Sequence, residues 1–403
     1  MEPSEIYRDT WAEVDLSCIS HNLKVIKSRL PAPAEFMAVV KANGYGHGDR
    51  EIAEIAVQAG ADSLAVAYLS EAINLRRQGI TAPILILTPI QPQEVPIALK
   101  HRFMLTVTNA GWLEQMRAYK SANSRDKLRI HIKFDTGLGR IGLREREEWD
   151  AMVPRLKQPD IEVAGIFTHL ATAGNVDIGY SKAQAAKFQQ MLGWVKESGV
   201  KVRQFHCANS AAALRFPEMV LDNVRVGAAL YGFYAKEHAP DLQLRPALSL
   251  HSRLIHVKRV NKGQYIGYDN SYRAAEDEWI GTVPIGYADG WSQSLQGSEM
   301  LVDVQRAPIV GKIGMDQLMI RLPRSYPVNT LVTLIGKQMD EQITCAELAA
   351  HLGSVPQEIS TSLSSRIPRL YKGHEIVTEM MTPVTSVHFP NYVKKEVKTK
   401  TRR

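Results

Sequence analysis

Lys41 sits in "AVVKANGYGHG" (residues 38–48), an apolar run that ends on a cation and then turns on three glycines with Asn43, Tyr45 and His47 between them. A lysine closing a buried strand is costly unless it is paired, neutral or covalently used. Three chemistries are open to it: a structural ion pair, a point charge for phosphate, or an amine that condenses with a carbonyl cofactor. Other reactive side chains recur where apolar runs end. They are Lys133 and Arg140 in "KFDTGLGRIG", His169 in "GIFTHLATA", and His206, Asn209 and Ser210 in "FHCANSAA". Arg225, Gly227 and Ala228 follow in "VRVGAALYG".

The elements that must position these residues can be read from the same runs. Eight β-rich stretches ("FMAVVK", "SLAVAY", "PILILT", "RFMLTV", "LRIHIKF", "VAGIFTHL", "VRQFHCA", "VRVGAALYG") alternate with helix-length connections between residues 35 and 232. "DREIAEIAVQAG", "LSEAINLRRQGI" and "SKAQAAKFQQMLGWVKESG" carry helical periodicity. Such alternation matches a closed parallel (β/α)8 TIM-type barrel better than an open doubly wound sheet. Active sites of these barrels lie at the carboxyl ends of the strands. Lys41, Lys133, Arg140, His169, Asn209, Ser210, Arg225 and Gly227 all fall at or near those ends, where chance would have scattered polar residues over both. From about residue 240 strand-like runs follow without long helices, broken by one short helical stretch, "CAELAAHLG". The expected organisation is a barrel over 11–239 and a β-rich domain over 240–390, which residues 1–10 join. A disordered basic tail occupies 391–403.

"GLGRIG" (137–142) also has the G-x-G-x-x-G spacing of a dinucleotide fingerprint, between a strand and a helical stretch. It follows the fifth strand, however, instead of opening a βαβ unit, and Asp135 just ahead of it would repel a pyrophosphate. The glycines are better read as a sharp turn that presents Arg140 to a ligand.

Bulk properties exclude several classes. At 45% apolar and 23% charged residues the composition is that of a soluble globular protein, with no apolar run long enough to span a membrane and no hydrophobic leader. Three widely spaced cysteines (Cys18, Cys207, Cys345) fit neither a disulfide framework nor a zinc cluster and point to a reducing cytoplasm. The net charge of +7 is concentrated in "YVKKEVKTKTRR", whose six Lys/Arg against one Glu carry +5 of it. The rest of the chain is nearly neutral, so nucleic acid is not an expected partner.

Taken together, "AVVKANGYGHG", "KFDTGLGRIG", "GIFTHLATA", "FHCANSAA", "VRVGAALYG", "IGYDNSYRA", "IGYADGW" and "GKIGMDQ", in this order over residues 10–375, resemble the motifs of the alanine racemases. The resemblance implies a homodimer that uses pyridoxal 5′-phosphate to interconvert L- and D-alanine, supplying D-alanine for peptidoglycan. It implies that Lys41 attaches the cofactor and acts as one base, with Tyr268 as the second, reaching the site from the other subunit. Tyr45, Ser210 and the backbone around Gly227 and Ala228 would hold the phosphate, Asn209 belongs to the same loop, and His169 would flank the ring. Arg225 would face the ring nitrogen with His206 behind it. An always-protonated guanidinium disfavours a protonated ring nitrogen and so suppresses side reactions such as transamination. Arg140 and the backbone of Met315 would hold the substrate carboxylate, and Tyr287 would wall the pocket. Lys133 matches a lysine that is often carbamylated to orient the arginine; an unmodified Lys133 paired with Asp135 is the alternative.

The chain departs from the family where "SSRIPR" puts Ser365 in place of a tyrosine that narrows the pocket, which opens serine or broader amino acids as substrates. Gly174, Gln293 and Lys312 also depart, along the approach to the site. A rival reading, a non-catalytic cofactor-binding protein on the same barrel, lacks any counterpart to residues 240–375.

Overall fold

Runs of Val, Ile, Leu and Met too short for helices, each bounded by polar turns, become the eight parallel strands that the alternation implies. The computed structural model describes residues 7–120, 126–235, 239 and 241–373. The barrel strands are β1 (Glu35–Val39), β2 (Ser63–Val66), β3 (Ile84–Ile86), β4 (Met104–Val107), β5 (Leu128–Lys133), β6 (Ile161–Phe167), β7 (Gln204–His206) and β8 (Asn223–Val226). Their order in the sheet is β7-β6-β5-β4-β3-β2-β1-β8. A parallel bridge between Asn209 and Arg225 draws the two ends together, so the barrel is nearly closed. Each amphipathic connection turns its apolar stripe to the sheet. Ile52 and Ala56 of helix Asp49–Gln58, Leu75 of helix Leu69–Arg77 and Phe188 of helix Gly179–Ser198 are buried with the outward side chains Ala38, Leu64, Ile84, Ile130 and Ile132. Burying side chains of this size stabilises by about 1.5–3 kcal/mol each.

Inside the barrel a separate apolar cluster is formed by Met37, Val39, Ala65, Leu85, Met104 and Ala164.

After the barrel the chain forms a mixed sheet whose central strands are Leu331–Gln338, Leu248–Arg253, Glu299–Val302 and Gln305–Val310. Strand Trp11–Asp15, which the expected boundary at residue 11 gives to the barrel, pairs here instead, antiparallel to Leu248–Arg253 and parallel to Arg369–Lys372. Beyond helix Cys345–Leu352, which corresponds to "CAELAAHLG", a second helix, Pro356–Ser362, opens on a proline at its first position. The tail expected over 391–403 lies outside the described residues.

The end of this second region packs back on the turn that follows β1. Arg369 Nε donates to the carbonyl of Gly46 at 3.3 Å. A Cβ at Gly46 would collide with the carbonyl of Ser360, and one at Gly48 with Tyr371 Oη.

Candidate active site

The turn carrying Lys41 is built against the ordinary preference of its residues. Ala42, Asn43, Gly44 and Tyr45 all have φ between 53° and 56°, a short left-handed coil. For residues other than glycine this costs about 1–2 kcal/mol each. Glu71 offsets the strain: its carboxylate accepts the N–H of Ala42 at 2.7 Å, of Ala67 at 2.7 Å and of Tyr68 at 3.0 Å. Lys41 is thereby held half-buried at the mouth. Burial, with the charge of Arg140, lowers its amine from the usual lysine value, and Glu71 opposes the shift.

Beside it lies a cradle of backbone and hydroxyls. Ser210 Oγ accepts the N–H of Gly227 at 3.0 Å and of Ala229 at 3.3 Å, leaving its own O–H proton for a ligand. A Cβ on Gly227 would collide with Tyr45 Oη, so only glycine lets that hydroxyl approach. The Tyr45 ring stacks on Tyr231 at 4.7 Å, and burial pushes its hydroxyl up to about 12, keeping it a neutral donor. Asn209 caps the following helix through Ala212 N–H at 3.1 Å and donates to Leu170 O at 3.3 Å. A cavity of about 740 Å³ is lined by Tyr45, His169, Asn209, Ser210, Arg225 and Gly227 among others.

Arg225 is buried at the base of the mouth. Its Nη1 donates to His206 Nδ1 at 2.6 Å, and its Nη2 to Thr168 O at 2.7 Å and Cys207 O at 3.3 Å. These bonds leave Nε. Burial and the Arg140 charge pull its value down to about 10, so the guanidinium stays charged at neutral pH. His169 Nδ1 lies 3.4 Å from Arg225 Nη2, and burial with the surrounding cations holds His169 well below its usual value. Phe167 stacks on His206 at 5.0 Å, with Lys133 Nζ and the Arg225 guanidinium 5.6 Å and 5.1 Å from its ring centre.

Lys133 donates to Phe134 O at 2.6 Å, and among the described residues no ion pair joins it to Asp135, contrary to the simple pairing weighed above. Burial and Arg225 bring its amine down to about 7, near neutrality. Asp135 instead accepts the N–H groups of Gly137 at 3.1 Å and Gly139 at 3.0 Å. The glycine motif is therefore wrapped on a carboxylate and offers those donors to no pyrophosphate. Arg140 stands exposed beyond it.

Tyr268, Met315 and Tyr287 gather elsewhere, on the β-rich region. Tyr287 N–H donates to Gly314 O at 3.0 Å, Gly314 lies beside the Tyr268 ring, and Lys312 pairs with Asp269 at 2.5 Å. The side chains of Tyr268, Met315 and Tyr287 are 72%, 54% and 43% exposed, and among the described residues no hydrogen bond joins them to the Lys41 group. Gln293 donates to Ile313 O at 2.9 Å in the same neighbourhood. Ser365 is exposed, next to Arg366, which pairs with Asp316 at 2.7 Å.

Sequence reasoning missed Glu71, Phe167 and His131, the last 2.9 Å from His206. Glu71 had a signal in the capping pattern at "YLSEA"; Phe167 looked like any core aromatic.

A nearly closed parallel barrel, with an amine poised by burial and an anion cradle at the carboxyl ends of its strands, defines a barrel enzyme. The comparisons specify which. The alanine racemase N-terminal domain model matches residues 14–235 and the C-terminal domain model residues 247–371. An alanine racemase of Geobacillus kaustophilus (strain HTA426) is 44% identical over 94% of this chain and 99% of its own. The crystal structure of alanine racemase from Bacillus anthracis with bound L-Ala-P is similar at a TM-score of 0.88 and 46% identity, covering 92% of this chain and 97% of that one. A histidine racemase from Leuconostoc mesenteroides subsp. sake shares the architecture at a TM-score of 0.83 and 32% identity, over 91% of this chain and 98% of its own. The chain belongs to the alanine racemase family and is an enzyme of the isomerase class.

Proposed function

We propose that the protein racemises alanine with pyridoxal 5′-phosphate as its cofactor and that its complete site is shared between two subunits. The observation that carries this is one mouth holding a lysine amine shifted toward neutrality, a hydroxyl-and-backbone cradle and a buried guanidinium. These suit, in turn, the aldehyde, the phosphate and the ring nitrogen of that cofactor. When bound, the cofactor supplies an electron sink that acidifies the substrate Cα.

The chain's own residues do the rest. Lys41 Nζ holds the cofactor and, once released, takes or returns the Cα proton on one face. Tyr45, Ser210, Gly227 and Ala228 fix the phosphate, with Asn209 holding their loop. His169 flanks the ring, and Arg225, backed by His206, faces its nitrogen. Arg140 and the Met315 backbone orient the substrate carboxylate and Tyr287 bounds the pocket; Lys133, whose amine is partly unprotonated near neutral pH, would steady Arg140 if it added carbon dioxide and lost a proton to become an anionic carbamate. Tyr268 of the partner subunit serves the opposite face. Its exposure, with that of Met315 and Tyr287, supports a site completed by a second copy. The barrel over 11–239, less strand Trp11–Asp15, which pairs in the β-rich sheet, carries the cofactor. In this reading the enzyme works in the cytoplasm, and its D-alanine feeds peptidoglycan.

A serine or broader specificity is the second reading, favoured by the exposed serine at 365. A merely apolar pocket rejects an added hydroxyl only about 10²-fold. Chiral chromatography of L-alanine and L-serine, each incubated with enzyme and cofactor, separates the two. D-alanine formed far faster supports the first reading, and D-serine at a comparable rate the second. No D-product from either, in protein that binds the cofactor, would reject both.

A further inference from the structure

The barrel interior is divided. Met37, Val39, Ala65, Leu85 and Met104 make the β1–β4 side mostly apolar, its buried polar residues being the small Ser63 and Thr106, whereas β5, β7 and β8 contribute the larger His131, Lys133, Gln204, His206, Asn223 and Arg225, all buried. Within the polar half, His131 on β5 and His206 on β7 meet although β6 runs between them, with His131 Nδ1 2.9 Å from His206 Nε2.

Proton positions along this line follow from one fact. A guanidinium only donates. His206 Nδ1, 2.6 Å from Arg225 Nη1, must therefore accept, which puts the His206 proton on Nε2. That proton faces His131 Nδ1, which must also accept, so the His131 proton is on Nε2. That last nitrogen is buried and has no partner among the described residues.

The fold makes room for this arrangement at some cost. His131 lies level with Gly165 in the β5–β6 register, where the pairing shifts between Ile130 and His131. A Cβ on Gly165 would collide with His131 Nδ1. A glycine inside a strand marks such a close approach.

We propose that His131 is a positioning residue: by accepting from His206 Nε2 it fixes the His206 tautomer and, through it, the plane of the Arg225 guanidinium that faces the cofactor. This rests on the cofactor reading above only for what Arg225 faces. Without His131, the buried His206 Nε2–H loses its acceptor, and the tautomer protonated on Nδ1 competes. That tautomer points N–H at N–H and turns Arg225 away.

The test reads the apoprotein first. With ¹⁵N-labelled histidine, the His206 Nδ1 resonance should lie in the unprotonated range and move toward the protonated range in His131→Leu. Gly165→Ala, which displaces the ring without deleting it, should shift the resonance the same way. His131→Gln, whose carboxamide oxygen can accept, should restore it. In the loaded enzyme, His131→Leu should raise the ratio of transamination to racemisation about tenfold, the effect of losing one buried hydrogen bond. An unchanged His206 resonance in both His131→Leu and Gly165→Ala overturns the proposal. Wild-type protein that binds no pyridoxal phosphate would overturn the cofactor reading instead and leave the tautomer result standing.

Discussion

A lysine amine cannot be both strongly basic and a ready nucleophile at neutral pH. Lys41 is moved toward the second role by burial and by Arg140, while Glu71 limits the shift. Lys41→Ala should abolish racemisation together with the visible absorbance of bound cofactor, both measured on the purified variant; retention of either removes Lys41 from its proposed place. At this scale the reactive residues were legible, because a cation ending an apolar run breaks a pattern. Their supporting partners were not. His131 reads as one more polar residue in "LRIHIKF", and only the lone glycine in "VAGIF" hints that something leans on it.

Strands and helices were legible for a different reason: period and composition are local. The coil at Ala42–Tyr45 shows where local preference ends. Neither alanine nor tyrosine favours positive φ, and the partner that holds the start of the coil is distant in sequence: Glu71, on helix Leu69–Arg77, accepts the N–H of Ala42 while it also caps its own helix through Ala67 and Tyr68. Trp11–Asp15 was misassigned for a similar reason, since its partners come from residues 248–253 and 369–372. Glu71→Ala should lose about 1–2 kcal/mol by removing one part-buried and two solvent-accessible hydrogen bonds, and should weaken cofactor binding more than Glu71→Gln does. Urea denaturation and cofactor titration measure the two effects. Wild-type cofactor affinity in Glu71→Ala would show that the clamp is dispensable.

For the molecule as a whole, pH and assembly offer separate tests. His47, His131 and His206 are buried and His169 is half-buried, and desolvation holds each below its ordinary value, to about 4 for His47 and about 3 for His131. Unfolded, all four take up protons near pH 6.5, and folded they do not. Unfolding therefore binds protons below that pH. Stability is intact above pH 6.5 and falls between 6.5 and 4, by up to about 1.4 kcal/mol per pH unit for each imidazole. Denaturation curves at pH 7.5, 6 and 5 should show the decline; a flat series would refute it. For assembly, the Lys41→Ala and Tyr268→Phe variants, each impaired, should regain activity when unfolded together and refolded if the site is shared between two subunits. A shared site leaves one intact centre in each mixed dimer, about a quarter of wild-type activity at random pairing. No recovery would mean that each subunit uses its own tyrosine.

The contact between Arg369 and Gly46 joins positions 323 residues apart. A ribosome releases the Lys41 turn long before it makes the segment that braces it. A chain that stops short of residue 369 thus carries the Lys41 turn without this hydrogen bond, and the brace is complete only when strand Arg369–Lys372, the last among the described residues, has been added. Among the described residues, the brace of the Lys41 turn is thus the last piece of the fold to be synthesised.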